Sequence, residues 1–202
     1  MTGSPILVQR KAALRAEALA RRRRIPPSYV RHAAEAVTAR LVDLRIPRDF
    51  ALAGYWPLEG ELDPRPGMER LGARGHPLAL PRMDGRGQPL IFHAWRPGDV
   101  LTEGAFRVME PSAAQPVCVP DLILVPLLAF DRRGGRLGYG LGYYDRTLSS
   151  LRSGPHGPQA IGIAFAEQEV DEVPMGPDDV WLDGVITEAA VRRFAERGQR
   201  RG

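Results

Sequence analysis

From Asp131 to Arg146 the chain reads Asp-Arg-Arg-Gly-Gly-Arg-Leu-Gly-Tyr-Gly-Leu-Gly-Tyr-Tyr-Asp-Arg, with glycines alternating at 138, 140 and 142. Glycines let a backbone approach a ligand closely and point successive amides at it, which makes a concavity suited to phosphate oxygens at a helix start. Arg136, placed at the mouth of this run, adds a cation that can hold phosphate with two bonds. Asp145 just beyond offers the hard oxygen that a magnesium nucleotide needs. A glycine-rich turn between any strand and helix could look the same, and the pattern by itself leaves both readings open.

A second signal is a rarity. Lys11 is the single lysine among 28 basic residues, and a compact ammonium is not interchangeable with a guanidinium at a phosphate site. Arg15 follows four residues later, so a helix presents both cations on one face. That face could reach phosphates, or it could be a solvated basic surface.

Several other chemistries are excluded. A P-loop needs G-x-x-x-x-G-K-[ST], and no lysine or hydroxyl residue stands in that place; a dinucleotide fingerprint needs G-x-G-x-x-G, and Tyr143 occupies the last position. No His-Glu-x-x-His, no G-x-S-x-G and no Cys-His constellation occurs, and His32, His76, His93 and His156 are scattered without ligand spacing. Cys118, the one cysteine, reads as a small buried hydrophobe beside a strand.

The elements that must position these residues alternate between helix and strand. Ser4-Pro5 reads as a cap and first-turn pair opening a helix that runs to Pro26-Pro27. A second helix starts behind Ser28, with Val30, Ala34, Val37, Leu41 and Leu44 at helical spacing. Strands are expected over Phe50 to Trp56, His76 to Met83, Leu90 to Trp95, Leu122 to Phe130 and Ala160 to Phe165, with a short one near Val185. Helices are expected from Met68 to Ala73, after Gly142 and from Glu188. No repeat or linker divides the 202 residues, so residues 1–202 read as a single domain. The fold class is α/β: a three-layer sandwich whose mostly parallel central sheet is flanked by helices, with the site at the carboxyl ends of its strands.

Composition narrows the setting. With 44% hydrophobic and 26% charged residues the chain can fill a core, and its apolar runs fall far short of the about 20 residues of a membrane span. Met1 to Pro5 leads into a basic helical pattern without an apolar signal region, so a cytoplasmic protein is expected. The formal charge of +4 raises the question of nucleic acid, but much of the excess lies in Arg21-Arg22-Arg23-Arg24 and in the tail from Arg192 to Arg201. These read as a helix end and a terminus, usual places for solvated cations, and argue against nucleic-acid binding.

Arg136-Leu-Gly-Tyr-Gly-Leu-Gly-Tyr-Tyr-Asp145-Arg146, behind Asp121-Leu-Ile-Leu-Val-Pro126, resembles the signature of the 5-formyltetrahydrofolate cyclo-ligases, or methenyltetrahydrofolate synthetases. Further segments match in order: Lys11-Ala-Ala-Leu-Arg15, Gly60-Glu-Leu-Asp63, Leu80-Pro-Arg82, Phe106-Arg-Val-Met-Glu-Pro111, Ala164-Phe-Ala-Glu-Gln168 and Asp179-Val-Trp-Leu-Asp-Gly-Val-Ile-Thr-Glu188. The resemblance implies an enzyme that spends one MgATP to close the formyl group of 5-formyltetrahydrofolate into 5,10-methenyltetrahydrofolate, releasing ADP and phosphate. Phosphorylation of the formyl oxygen would make the leaving group, and nitrogen 10 would close the ring.

By the same resemblance ATP would be bound by Lys11, Arg15, Arg136, Leu137, Gly138, Tyr139, Gly140, Leu141, Gly142, Tyr143 and Tyr144. The folate would meet Trp56, Glu61 and the loop from Tyr139 through Gly140, Leu141 and Gly142 to Tyr143, while Asp145 and Asp179 would hold magnesium. Asp178 stands beside Asp179 as the rival ligand. Leu141 departs from family members that carry lysine there, so the cationic share of the loop falls to Arg136 and the first helix. A monomer with small-molecule substrates and no membrane partner is expected. The alternative is a nucleotide- or sugar-phosphate-binding protein of the same fold without cyclo-ligase activity.

Overall fold

Proline heads the first two helices. The computed structural model describes residues 4–154 and 157–194, beginning with α1 (Pro5–Arg22) and α2 (Pro27–Val42), each with proline in the first turn, where the missing N–H has no partner to lose. Ser4 stands at the start of α1 but makes no side-chain cap bond, so the expected cap is one of position only. There follow β1 (Leu52–Ala53), α3 (Arg65–Ala73), β2 (Leu78–Met83), β3 (Leu90–Ala94), β4 (Leu101–Glu103), β5 (Met109–Pro111) and β6 (Leu122–Pro126). The chain continues through β7 (Ala129–Phe130), β8 (Arg136–Leu137), α4 (Tyr143–Arg152), β9 (Gln159–Ile163), β10 (Gly184–Ile186) and β11 (Val191–Arg193).

Seven strands form one sheet in the order β11-β10-β9-β6-β1-β2-β3. The five inner strands run parallel and the two edges antiparallel. Side chains alternate across it, as strand geometry requires: Leu52, Leu80, Leu122, Leu124 and Ile161 pack with α2 and α3, while Ala53, Ala79, Ile123, Val125 and Ala160 pack with Leu148 of α4. This is the three-layer α/β arrangement. Helix α1 stands outside it, resting through Ala18 on Leu128, Ala129, Leu137 and Val173. Among the described residues no helix is long and apolar enough to cross a membrane.

Three expected elements are corrected. The strand from Leu122 to Phe130 ends at Pro126, and Ala129–Phe130 leaves the sheet to pair with β8. The strand from Phe50 to Trp56 shortens to β1. No helix begins at Glu188: the Thr187 hydroxyl accepts the Ala190 amide at 3.1 Å and the Thr187 amide bonds back to the Ala190 carbonyl at 2.9 Å, a turn that reverses the chain into β11. The expected continuation of that helix beyond Phe194, the basic tail from residue 195 onward and His156 lie outside the described residues.

The topology sets the site. The chain leaves β1 for β2 on one side and later returns to β6 on the other, so the strand order reverses between β1 and β6. In an open parallel sheet such a reversal leaves a crevice at the carboxyl ends of the strands.

Candidate active site

A cavity of about 570 Å³ occupies this crevice, bounded by α1, the segment following β1, the end of β2, the glycine loop and residues 176–179. Lys11, Arg15, Trp56, Glu61, every residue from Arg136 to Asp145, and Asp179 all line it. One hollow thus gathers side chains from both ends of the sequence.

One end is rich in cations. Helical spacing brings Lys11 and Arg15 to the same face of α1; Lys11 Nζ donates to Asp179 Oδ2, and Arg15 Nε donates to the Gly138 carbonyl at 2.9 Å. Gly140 has φ of +97°, and a Cβ there would lie 3.0 Å from the Arg15 guanidinium carbon. Glycine therefore serves two purposes at 140, the left-handed turn and the seat for Arg15. Gly142, also left-handed, opens α4, whose first turn carries Asp145 and has no side-chain cap.

Arg136 sits beneath the loop and not at its mouth. Its side chain is 4% exposed, Nη2 donates to Asp145 Oδ1 at 2.6 Å, and its Nε–H is buried without an acceptor in the protein. Asp145 Oδ1 also accepts the Val180 amide at 3.1 Å, which ties the loop to the chain before β10. The Leu137 side chain is directed into the core under α1 and its carbonyl is taken by the Leu128 amide at 2.7 Å. Leu141, in contrast, is exposed.

Asp145 and Asp179 are the carboxylates whose donor chemistry bears on magnesium. Among the described residues no three His, Cys, Asp or Glu side chains gather into a metal cage. Magnesium needs less: one or two carboxylates completed by phosphate oxygens and water. Asp145 and Asp179, each engaged by a cation that a phosphate could draw away, fit a metal delivered with a nucleotide. Asp178 is exposed, while Asp179 is partly buried and accepts both Lys11 and the Gly176 amide.

The other end gathers Trp56, Tyr139, Tyr144 and the carboxylate of Glu61. The Trp56 ring packs on the α2–α3 core and carries the Arg65 guanidinium 3.9 Å from its centroid, itself held by Asp63 at 2.6 and 2.8 Å. Glu61 has a side chain only 4% exposed; its Oε2 accepts the Leu58 amide at 2.8 Å and its Oε1 the Tyr139 hydroxyl at 3.1 Å. Burial pushes the Glu61 carboxyl above the usual range, opposed by the Leu58 amide and by Arg22. Tyr144 is likewise driven upward by burial and by the neighbouring Glu61. Tyr143 lies 5.2 Å from the Arg146 guanidinium, which donates to the Leu141 carbonyl at 2.7 Å and braces the loop from behind.

Among the residues around the cavity to which the sequence reading assigns no site role are Arg22 and Phe106. Arg22, read as one of four solvated arginines, is buried beside Glu61. Phe106 lines the cavity from the β4–β5 hairpin, where it and Arg107 both adopt φ of +59°. The left-handed region costs a side chain about 1–2 kcal/mol per residue, and sequence patterns do not announce it.

The comparisons with known proteins converge. The model of the 5-formyltetrahydrofolate cyclo-ligase family matches residues 8–188. The chain is 35% identical over 185 residues to the 5-formyltetrahydrofolate cyclo-ligase of Mycolicibacterium smegmatis, covering 88% of this chain and 93% of that one. It is 29% identical over 177 residues to the Escherichia coli protein of the same name, covering 85% and 96%. Among solved structures, the 5,10-methenyltetrahydrofolate synthetase of Aquifex aeolicus superposes with a TM-score of 0.79 at 29% identity, over 95% of this chain and 99% of that one. The Mycoplasma pneumoniae synthetase gives 0.70 at 26% identity, over 88% and 98%.

Proposed function

The chain belongs to the 5-formyltetrahydrofolate cyclo-ligase family, and from that premise we propose that it uses MgATP to convert 5-formyltetrahydrofolate into 5,10-methenyltetrahydrofolate. The observation that carries this reading is one cavity that has both a cationic, glycine-lined end and an aromatic, acidic end. A phosphoryl donor at one end and a pterin at the other would share that one cavity.

The chemistry asks for activation of a poor leaving group. The formyl oxygen attacks the γ-phosphorus, the bond to ADP breaks, and the iminium phosphate that results is attacked at carbon by nitrogen 10. Phosphate then departs, and nitrogen 10 loses its proton. Little covalent work falls to the protein, whose part is positioning and charge stabilisation.

Lys11, Arg15 and Arg136 would meet the phosphates as cations, and the amides of the loop from Gly138 to Gly142 would complete the cradle. Asp145 and Asp179 would hold magnesium, which supplies positive charge to the phosphate oxygens. Trp56 offers a flat apolar wall and Glu61 accepts hydrogen bonds from pterin amino and ring N–H groups. The enzyme would work in the cytoplasm on these two small molecules.

Mixing the protein with MgATP and 5-formyltetrahydrofolate and following the near-ultraviolet absorbance of the methenyl product tests the proposal. The expected result is a steady rise with one ADP formed per product. ATP binding without any rise would contradict it and favour a nucleotide-binding protein of the same fold.

A further inference from the structure

Lys11, Arg15 and Arg22 are spaced by four and then seven residues. Eleven residues at 100° each complete three turns and about 20°, so the three cations share one stripe of α1 over about 16 Å of helix. The stripe serves both ends of the cavity. Lys11 and Arg15 stand at the phosphate end, and Arg22 closes the last turn beside Glu61.

The four arginines from 21 to 24 have different fates. Arg21 pairs with Glu17 at 2.7 Å on the surface, Arg23 and Arg24 are exposed, and Arg22 has a side chain 7% exposed. Arg22 Nη2 donates to the Tyr139 hydroxyl at 2.6 Å and the Glu59 carbonyl at 3.3 Å, and Nη1 lies 3.9 Å from Glu61 Oε1. Tyr139 passes its own hydrogen to Glu61 Oε1 at 3.1 Å. Gly60, left-handed at φ of +79°, brings the turn before Glu61 close to Arg22 Nε. A chain of donors therefore runs from arginine through tyrosine to carboxylate, and such chains polarise one another.

Arg22 does not itself line the cavity, whereas Tyr139 and Glu61 do. We propose that Arg22 is a positioning residue for the folate: from the end of α1 it fixes Glu61 and Tyr139 in one hydrogen-bonded chain that presents the carboxylate to the pterin. This rests on the reading of the cavity as a formylfolate site. The groups facing Glu61 are Arg22 from α1, Tyr139 from the loop, Tyr144 from α4 and Tyr55 from the end of β1, with Asp63 nearby and paired to Arg65. Burial holds all three tyrosines protonated beyond their usual range, so the positive charge answering Glu61 is that of Arg22.

The test is equilibrium binding of 5-formyltetrahydrofolate and, separately, of a non-hydrolysable ATP analogue to the wild type, Arg22→Met, Arg22→Lys, Glu61→Gln and the double variant Arg22→Met with Glu61→Gln. Arg22→Met should weaken formylfolate about tenfold, the loss of one charge-assisted contact, and the ATP analogue by less than about threefold. Arg22→Lys should recover part of the loss, since it restores the cation without the fork, and it carries the test should the apolar variant fail to fold by circular dichroism. In the Glu61→Gln background, Arg22→Met should cost under about threefold, because coupled residues are not additive. The acidic limb of the binding profile should also move to higher pH in Arg22→Met, as loss of a cation makes the carboxylate harder to ionise.

Equal weakening of both ligands, or a full penalty for Arg22→Met when Glu61 is already glutamine, would overturn the assignment. A wild-type protein that binds the ATP analogue but no formylfolate would instead overturn the reading of the cavity on which it stands.

Discussion

Asp131, with none of its side chain exposed, accepts the backbone amides of Arg133 at 2.8 Å, Gly135 at 2.9 Å and Val173 at 3.0 Å. Glu61, nearly as deeply buried, has one amide, one tyrosine hydroxyl and a guanidinium at 3.9 Å. The first carboxylate is filled by backbone and fastens the turn that leads into β8. The second retains unfilled acceptor capacity on a cavity wall. Buried carboxylates of a single chain can thus be sorted by who satisfies them: folding uses up the acceptors of Asp131, while Glu61 keeps acceptor capacity facing the cavity.

The largest effect should come from breaking the structural member. Asp131→Ala strands the buried amides of Gly135 and Val173, each worth about 1–3 kcal/mol when unsatisfied, and frees the partly buried Arg133 amide, for a total of about 3 kcal/mol. Thermal unfolding should then fall by roughly 6–12 °C for a chain of this size, whereas Glu61→Gln should melt close to the wild type. A Glu61 variant that unfolds as readily as the Asp131 variant would erase the distinction.

At the cationic end, Arg136→Ala removes one charge-assisted contact and leaves Asp145 without its cation, so ATP use should drop on the order of tenfold to a hundredfold. Steady-state kinetics with ATP varied at saturating formylfolate measure it. Leu141→Ala, in the same assay, should change turnover by well under tenfold, because the exposed leucine side chain has no charge and the substitution retains its amide. Equal damage in the two variants would show that Leu141 packs against a ligand.

The smallest effect is a slope. Burial raises the folded Glu61 carboxyl above its unfolded value, so the folded state holds the proton more tightly. Stability contributed below the unfolded value is lost as pH rises through the folded one. Glu61→Gln should flatten that part of the curve in denaturant titrations at successive pH values, and an unchanged slope would place the proton elsewhere.

Much of this was legible in the sequence because it rests on local rules. Alternating periodicity announced the layers, and the glycines at 138, 140 and 142 with Lys11 and Arg15 announced the cationic end. Lengths of elements were less legible, since Pro126 ends β6 only because the next apolar residues find partners in β8, a tertiary choice. Arg22 was lost in a run of four arginines, where nothing local distinguishes the one that turns inward; its spacing from Lys11 was the signal available. Glu188 looked like the first turn of a helix, but its carboxylate is taken by the Tyr29 hydroxyl at 2.7 Å and the Ala166 amide, both distant in sequence. That hydrogen bond lifts the Tyr29 phenol to about 12.

The central claim is that the two ends of the cavity serve different ligands. Titrating wild-type and Glu61→Gln protein with 5-formyltetrahydrofolate and, in parallel, with a non-hydrolysable ATP analogue tests it most directly. Loss of a charged acceptor should weaken formylfolate on the order of tenfold to a hundredfold and the ATP analogue by less than about threefold. Equal weakening of both ligands, or none of either, would contradict the account.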